Sequence, residues 1–370
     1  PTSTPYPRTP FLSPSSNTIP MLFAVLLSIL QVCVCYSLVP LDLPSDVGAV
    51  SDACATIIHQ QNTSFIVLVG GRVRGSGPAG ISRTISLVQL NMGTDATSAN
   101  GTLPQSVQGW SLSMVTRVDL PTGPLFSCIA SPTSDRTAFL IATGEGVDTD
   151  GARTWDSTVT RCTVGESLNV SCSVLVSQDQ STMEPRYGSV GGTLDDGTLI
   201  ISHGFSTTRF DNSFTFTPDT DDNWQPLDTT NAPSARCLSA GSVADDKLVM
   251  FGGCGSGGFG PCSDWSGGAL DGASGAWTAL PSCPPRRVYG TAVTLGDGSV
   301  AVYGGEAGVF GSDDGVVSVW HEGRGEWLRY ELEDGPGGVL VGAAGAADPA
   351  RGLAAFVGGV DSTTGSETAT

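Results

Sequence analysis

Lysine is nearly missing from this 370-residue chain: Lys247 is the single one, and 17 basic residues face 36 acidic ones, for a formal net charge of −19. A groove that tracks nucleic-acid phosphates, or a face that docks on an anionic membrane, needs the opposite balance, so neither partner is expected. Schiff-base chemistry on lysine is confined to that one position, which reads as a turn. Histidine is as sparse. His59, His203 and His321 fall in unrelated places of the pattern and Cys-x-x-Cys spacing is missing, so no zinc or other shared metal centre is expected. No Gly-x-Ser-x-Gly elbow precedes a helix, and no stretch has helical periodicity. Asp148–Gly151 and Asp219–Asn223 each gather several oxygen ligands but complete no calcium-loop pattern. The expectation is no catalytic residue, no metal and no cofactor.

What the chain has in quantity is turn residues, with 49 Gly and 23 Pro beside 39% hydrophobic residues, a composition suited to an all-β protein with a sizeable core. The stretch Ser234–Leu280 contains every signal of one four-stranded antiparallel sheet. Leu238–Val243 is apolar, Asp245-Asp246 turns it into Lys247–Phe251, and Gly252-Gly253 stops the second strand. Gly268–Leu270, the turn Asp271–Gly275 and Ala276–Leu280 supply a second hairpin. The same order recurs upstream from Tyr187 to Trp224 and downstream from Tyr289 to Trp327. Arg186, Arg236 and Arg286 open the three copies at intervals of 50 residues (236 − 186 and 286 − 236).

The arginine opening, the apolar strand closing on a glycine pair and the late tryptophan together resemble the kelch repeat, also found in the propeller of galactose oxidase. The resemblance implies an all-β, kelch-type β-propeller. Its physical reason is that a four-stranded sheet has two apolar faces, and stacking blades around an axis buries both. The glycine pair permits close approach at positive φ, and the tryptophan is a large plate between blades. The galactose oxidase comparison further implies a copper site of Tyr, His and a Cys-modified Tyr. Three scattered histidines do not furnish it, so the oxidase activity is not carried over.

Residues 1–20 are rich in Pro, Ser and Thr and are expected to be disordered or to lie upstream of a true start at Met21. Residues 21–37 read as a signal peptide, with an uncleaved anchor or a buried strand as the alternatives because no basic residue sits beside the apolar run. The propeller is assigned to 38–360, with 361–370 a polar tail. Beyond the leader, eight cysteines fit an oxidising compartment. Cys162 with Cys172, and Cys254 with Cys262, are the expected local pairs; connectivity among Cys54, Cys128, Cys237 and Cys283 is open. Asn62, Asn100 and Asn169 head glycosylation sequons. A secreted or cell-surface location follows, without a membrane span in the mature chain.

About six four-stranded blades are expected, the last incomplete because little chain follows Gly358-Gly359, which favours a truncated C-terminus. In a propeller, Arg186, Arg236 and Arg286 would line up around one mouth of the axis, either bracing neighbouring loops or forming a cationic rim for a carboxylate, sulfated glycan or acidic peptide. The expected job is binding a protein or glycan through the blade-end loops. A secreted carbohydrate-active enzyme, oxidase- or lyase-like, and a structural wall or coat component are the alternatives.

Overall fold

The computed structural model describes residues 41, 43–47, 51–73, 76–91, 110–255, 266–284, 287–306, 316–331 and 340–361, all within the unit Leu38–Thr370. The assignments made to 1–20, to the leader 21–37 and to nearly all of the tail lie outside these residues.

Five antiparallel blades follow one another along the chain. Blade 1 is β1 (Cys54–Gln60), β2 (Thr63–Val69), β3 (Thr84–Asn91) and β4 (Ser111–Asp119). Blade 2 has a split inner line, β5 (Leu125–Phe126) and β6 (Ile129–Pro132), both paired with β7 (Ala138–Val147), then β8 (Arg153–Val164) and β9 (Val170–Val176). Blade 3 is β10 (Val190–Thr193), β11 (Leu199–Ser202), β12 (Ser213–Phe216) and β13 (Gln225–Leu227). Blade 4 is β14 (Ala240–Ala244), β15 (Lys247–Phe251), β16 (Gly267–Asp271) and β17 (Trp277–Leu280). Blade 5 is β18 (Thr291–Thr294), β19 (Val300–Tyr303), β20 (Val316–His321) and β21 (Glu326–Glu331).

The expected count of about six blades is corrected to five. Among the described residues, the sixth place in the ring holds a hairpin alone, in which β22 (Leu340–Val341) and β23 (Ala344–Asp348) pair with β25 (Val360–Asp361) and β24 (Leu353–Val357). Described chain after Gly359 suffices to extend the second line of the hairpin but not to add a third or fourth strand.

Local chemistry sets these elements. In β2, Phe65-Ile66-Val67-Leu68-Val69 is rich in β-branched residues and apolar on both faces because both are covered by neighbouring blades. Asp245 and Asp246 have φ of 48° and 58°, and Gln61 and Asn62 of 48° and 66°, the positive pair that a tight two-residue hairpin needs. Between successive blades lies one apolar cluster each. Phe139 and Ile141 of β7 face blade 1, while Leu140 and Ala142, one residue out of phase, face blade 3. Trp224 packs between blades 2 and 3 and donates Nε1–H to Ser157 O at 2.8 Å. Leu43, Val47, Ala344, Ala346 and Val357 join the hairpin to blade 1.

The ring is closed by the backbone. Asp52 N–H donates to Gly342 O (2.7 Å), Ser127 to Asp52 O (2.8 Å), Gly188 to Ser127 O (3.2 Å), Leu238 to Gly188 O (2.8 Å), Tyr289 to Leu238 O (3.1 Å), and Gly342 to Tyr289 O (3.1 Å). Six residues, one ahead of each innermost strand, thus form an unbroken circle of hydrogen bonds around the axis. All six have φ between 49° and 70°. Four of them carry side chains in this left-handed region, at about 1–2 kcal/mol each, which the surrounding blades must offset.

Candidate binding site

The six inner strands are crowded, and the third residue after each member of the hydrogen-bonded circle is Ala55, Ala130, Gly191, Gly241, Ala292 or Gly345. These six line both a cavity of about 170 Å³ toward the circle and one of about 140 Å³ toward the opposite end, so they form the waist between the two. The first cavity is also lined by Asp52, Tyr289, Ser189 and Ser239, and the second by Thr56, Ser131 and Arg136.

The circle end carries the richer side chains. Arg72 follows the glycine pair of β2, and its Nε donates to Asp52 Oδ2 at 2.7 Å, with its guanidinium 4.5 Å from the Phe126 ring centre. Burial works against the Arg72 charge, but the Asp52 carboxylate outweighs it and holds the guanidinium above its ordinary pKa. Glu145 occupies the same place after Gly144. Arg153 grips it through two 2.6 Å hydrogen bonds, which raise the arginine's pKa although its side chain is 59% exposed. Tyr187 lies beside Arg153 and Glu145; burial first, then nearby Cys237 and Glu145, push its phenol up to about 12. Arg209 donates Nε–H to Cys254 O at 2.8 Å and lies 5.6 Å from the Phe205 ring centre. Among the described residues no carboxylate pairs with it. The backbone of Cys237 pairs with that of Cys254 in an isolated antiparallel bridge, and burial pushes the Cys237 thiol up to about 11, so it is protonated at neutral pH.

Two of the three arginines singled out from the repeat lie elsewhere. Arg186 and Arg236 are fully buried inside their blades, and neither lines an axial cavity. Arg186 donates to Glu184 O, His203 O and Asn212 Oδ1 and lies 4.0 Å from the Phe210 ring centre. Removal from water lowers its pKa to about 10, still charged at neutral pH. Arg236 donates to Ser234 O, Gly252 O and Ser266 O. Arg286 lies outside the described residues, and the matching place is taken by Arg287, whose guanidinium donates to Gly304 O and Val316 O. In all three blades the guanidinium ties the strand entry to the end of the second strand, and the carbonyl of the same residue accepts from the glycine position of the preceding blade, as Gly144 N–H to Arg186 O, Gly204 to Arg236 O and Gly253 to Arg287 O.

The mouth residues escaped sequence reasoning because their signal is a constant place with changing content. The residue after each glycine stop is Arg72, Glu145, Phe205, Cys254 and Glu306 in blades 1 to 5. A search for recurring residues passes over such a position.

Cys162 and Cys172 form the expected disulfide across β8 and β9. Cys254 is disulfide-bonded, and Cys262 lies outside the described residues. A further disulfide, Cys54 to Cys128, staples the inner strand of blade 1 to blade 2. Asn62 and Asn169 are exposed in hairpin turns; Asn100 lies outside the described residues.

The histidines remain separate. His203 stands at φ 61° where blades 1, 4 and 5 have glycine, with Nε2 3.2 Å from Pro233 O, and His321 Nδ1 lies 2.6 Å from Ser299 Oγ. His59 Nε2 meets Asp348 Oδ2 at 2.7 Å at the end of the ring away from the circle, off the angle of a good hydrogen bond. No group of three or more His, Cys, Asp or Glu is arranged for a metal among the described residues, and no helix there is long and apolar enough to cross a membrane.

No family model matches the chain, and no curated protein matches it. Among solved structures it is similar to that described as "Structure of YjhT", with a TM-score of 0.61 and 12% identity over 88% of this chain and 94% of that one. At that identity the likeness speaks for the fold alone, and it agrees with the blades and the closed circle: the chain is a β-propeller.

Proposed function

We propose that the protein is an exported kelch-type propeller that binds a protein or glycan at the circle end of its axis, its leader at 21–37 removed and its sequons carrying carbohydrate. One observation carries the binding reading: Arg72, Arg153 and Arg209 surround a single mouth together with Tyr187, Tyr289 and Phe205. Two of the guanidiniums are held by the buried carboxylates of Asp52 and Glu145. Arginines oriented in this way keep free donor edges for carboxylate, sulfate or hydroxyl groups, and the aromatic rings offer faces to a sugar or a peptide side chain. The cystines support export, since such bonds persist in oxidising compartments. The glycine stops and late tryptophans support the kelch assignment.

The test is a glycan and peptide array probed with the native chain and with a variant carrying Arg153→Ala and Arg209→Ala. A ligand retained by the native chain and lost by at least tenfold in the variant supports the reading. Equal binding by both, to every arrayed ligand, contradicts the mouth as the site.

A further inference from the structure

The ring has two ends, and the two sequons within the described residues lie at the same one. The circle and the mouth stand where each inner strand begins. Asn62 stands just beyond the end of the seven-residue strand β1, whose ends are about 20 Å apart at about 3.3 Å per residue. It is the second residue of the turn joining β1 to β2 at φ 66°, its side chain is exposed, and its amide has no hydrogen-bond partner among the described residues. Asn169 lies in the turn from β8 to β9. Since β8 runs from the mouth outward, that turn too is at the far end. Its Oδ1 accepts from Ser167 Oγ at 2.8 Å, while its exposed Nδ2 is left without a partner among the described residues. The third sequon, at Asn100, lies outside the described residues.

We infer that Asn62 and Asn169 carry N-linked oligosaccharides that cover the far end of blades 1 and 2 and leave the circle end as the bare, partner-facing surface. The inference rests on the proposed export. In the transfer, a bond forms between the anomeric carbon of the sugar and Nδ2. The bond broken joins that carbon to the diphosphate of a lipid-linked oligosaccharide donor, and the Nδ2 proton leaves as the lipid diphosphate departs. Bulky hydrated chains at one end favour approach of a macromolecular ligand from the other.

The chain would be expressed with its leader in a eukaryotic secretory culture, and peptides would be mapped by mass spectrometry before and after enzymatic release of N-glycans. Glycan on both Asn62 and Asn169 is the expected result. Both asparagines unmodified in protein recovered from the medium overturns this inference and leaves export standing; a chain retained in the cell and unmodified overturns both. The polarity is read with phenylglyoxal, which labels accessible arginines. Removing the native glycans should leave labelling of Arg153 and Arg209 unchanged. Ser206→Asn creates a sequon in the connection from β11 to β12 at the mouth, and a glycan there should lower Arg209 labelling several-fold. Arg153 and Arg209 labelling that rises several-fold when the native glycans are removed would overturn the placement.

Discussion

Replacing Asp348 with Asn probes how the hairpin holds the sixth place of the ring. The Asp348 carboxylate is fully buried, with His59 Nε2 of blade 1 at 2.7 Å, Arg136 Nε of blade 2 at 3.6 Å, and Arg351 Nη1 of its own hairpin at 3.5 Å. Arg136 adds a 2.9 Å hydrogen bond to Ala347 O, so the cluster spans the hairpin and two blades. Removing one partner of a buried ion pair costs about 3–5 kcal/mol, because the other charge is left behind. Arg351 is 41% exposed and can turn to water, whereas Arg136 is 23% exposed and is held by backbone carbonyls. The lower end, about 3 kcal/mol, is therefore expected, or about two decades in the unfolding equilibrium. Urea unfolding followed by tryptophan fluorescence reads the total. Hydrogen exchange reads its location: amides of β23 and β24 should lose protection before those of blade 4. A change under about 0.5 kcal/mol, the size typical of an exposed site, would refute the assignment of this cluster as the clasp of the hairpin.

The same clasp should respond to acid. Burial is the largest influence on His59 and lowers its pKa below 6.5, despite the pull of Asp348 in the other direction. The unfolded chain then binds the proton more readily than the folded one, so the stability contribution is full above about pH 6.5 and is lost as pH falls toward the lowered value. A urea midpoint that drops more between pH 7.5 and 5.5 in the native chain than in His59→Gln is the expected result. Arg236→Met removes the guanidinium that donates to the carbonyls of Ser234, Gly252 and Ser266 and should cost about 2–4 kcal/mol by denaturation, whereas a ligand bound at the mouth should keep its affinity for the surviving fold. Replacing Cys54 and Cys128 together by Ser opens the link between blades 1 and 2, and thermal melting should show a loss of about 2–4 kcal/mol.

Much of the fold was legible because its signals are local. The strand Lys247–Phe251, its Asp245-Asp246 turn and its Gly252-Gly253 stop depend on residues a few places apart, and the structure puts them where the pattern does. The cross-strand cystine Cys162–Cys172 was legible for the same reason, since its partners sit on one hairpin. The Cys54–Cys128 bond was not, because it joins two blades whose register is set by packing. In blade 5 the repeat pointed to Arg286, and only the carbonyls of Gly304 and Val316 reveal that Arg287 enters the blade. The blade count failed at its end. Gly358-Gly359 mark a second strand faithfully, but a stop signal does not tell whether two more strands follow. The mouth was least legible: Arg72, Glu145, Tyr187 and Arg209 converge only after the blades are arranged around an axis.

The central claim is a closed circle in which the two-stranded hairpin does the closing. Residue-resolved hydrogen exchange of the native chain tests it most directly, at the amides of Asp52, Ser127, Gly188, Leu238, Tyr289 and Gly342. Closure predicts that all six exchange slowly and with similar protection, Asp52 and Gly342 included. Fast exchange at Asp52 and Gly342 beside slow exchange at the other four would show a ring open at the hairpin, and would contradict the account.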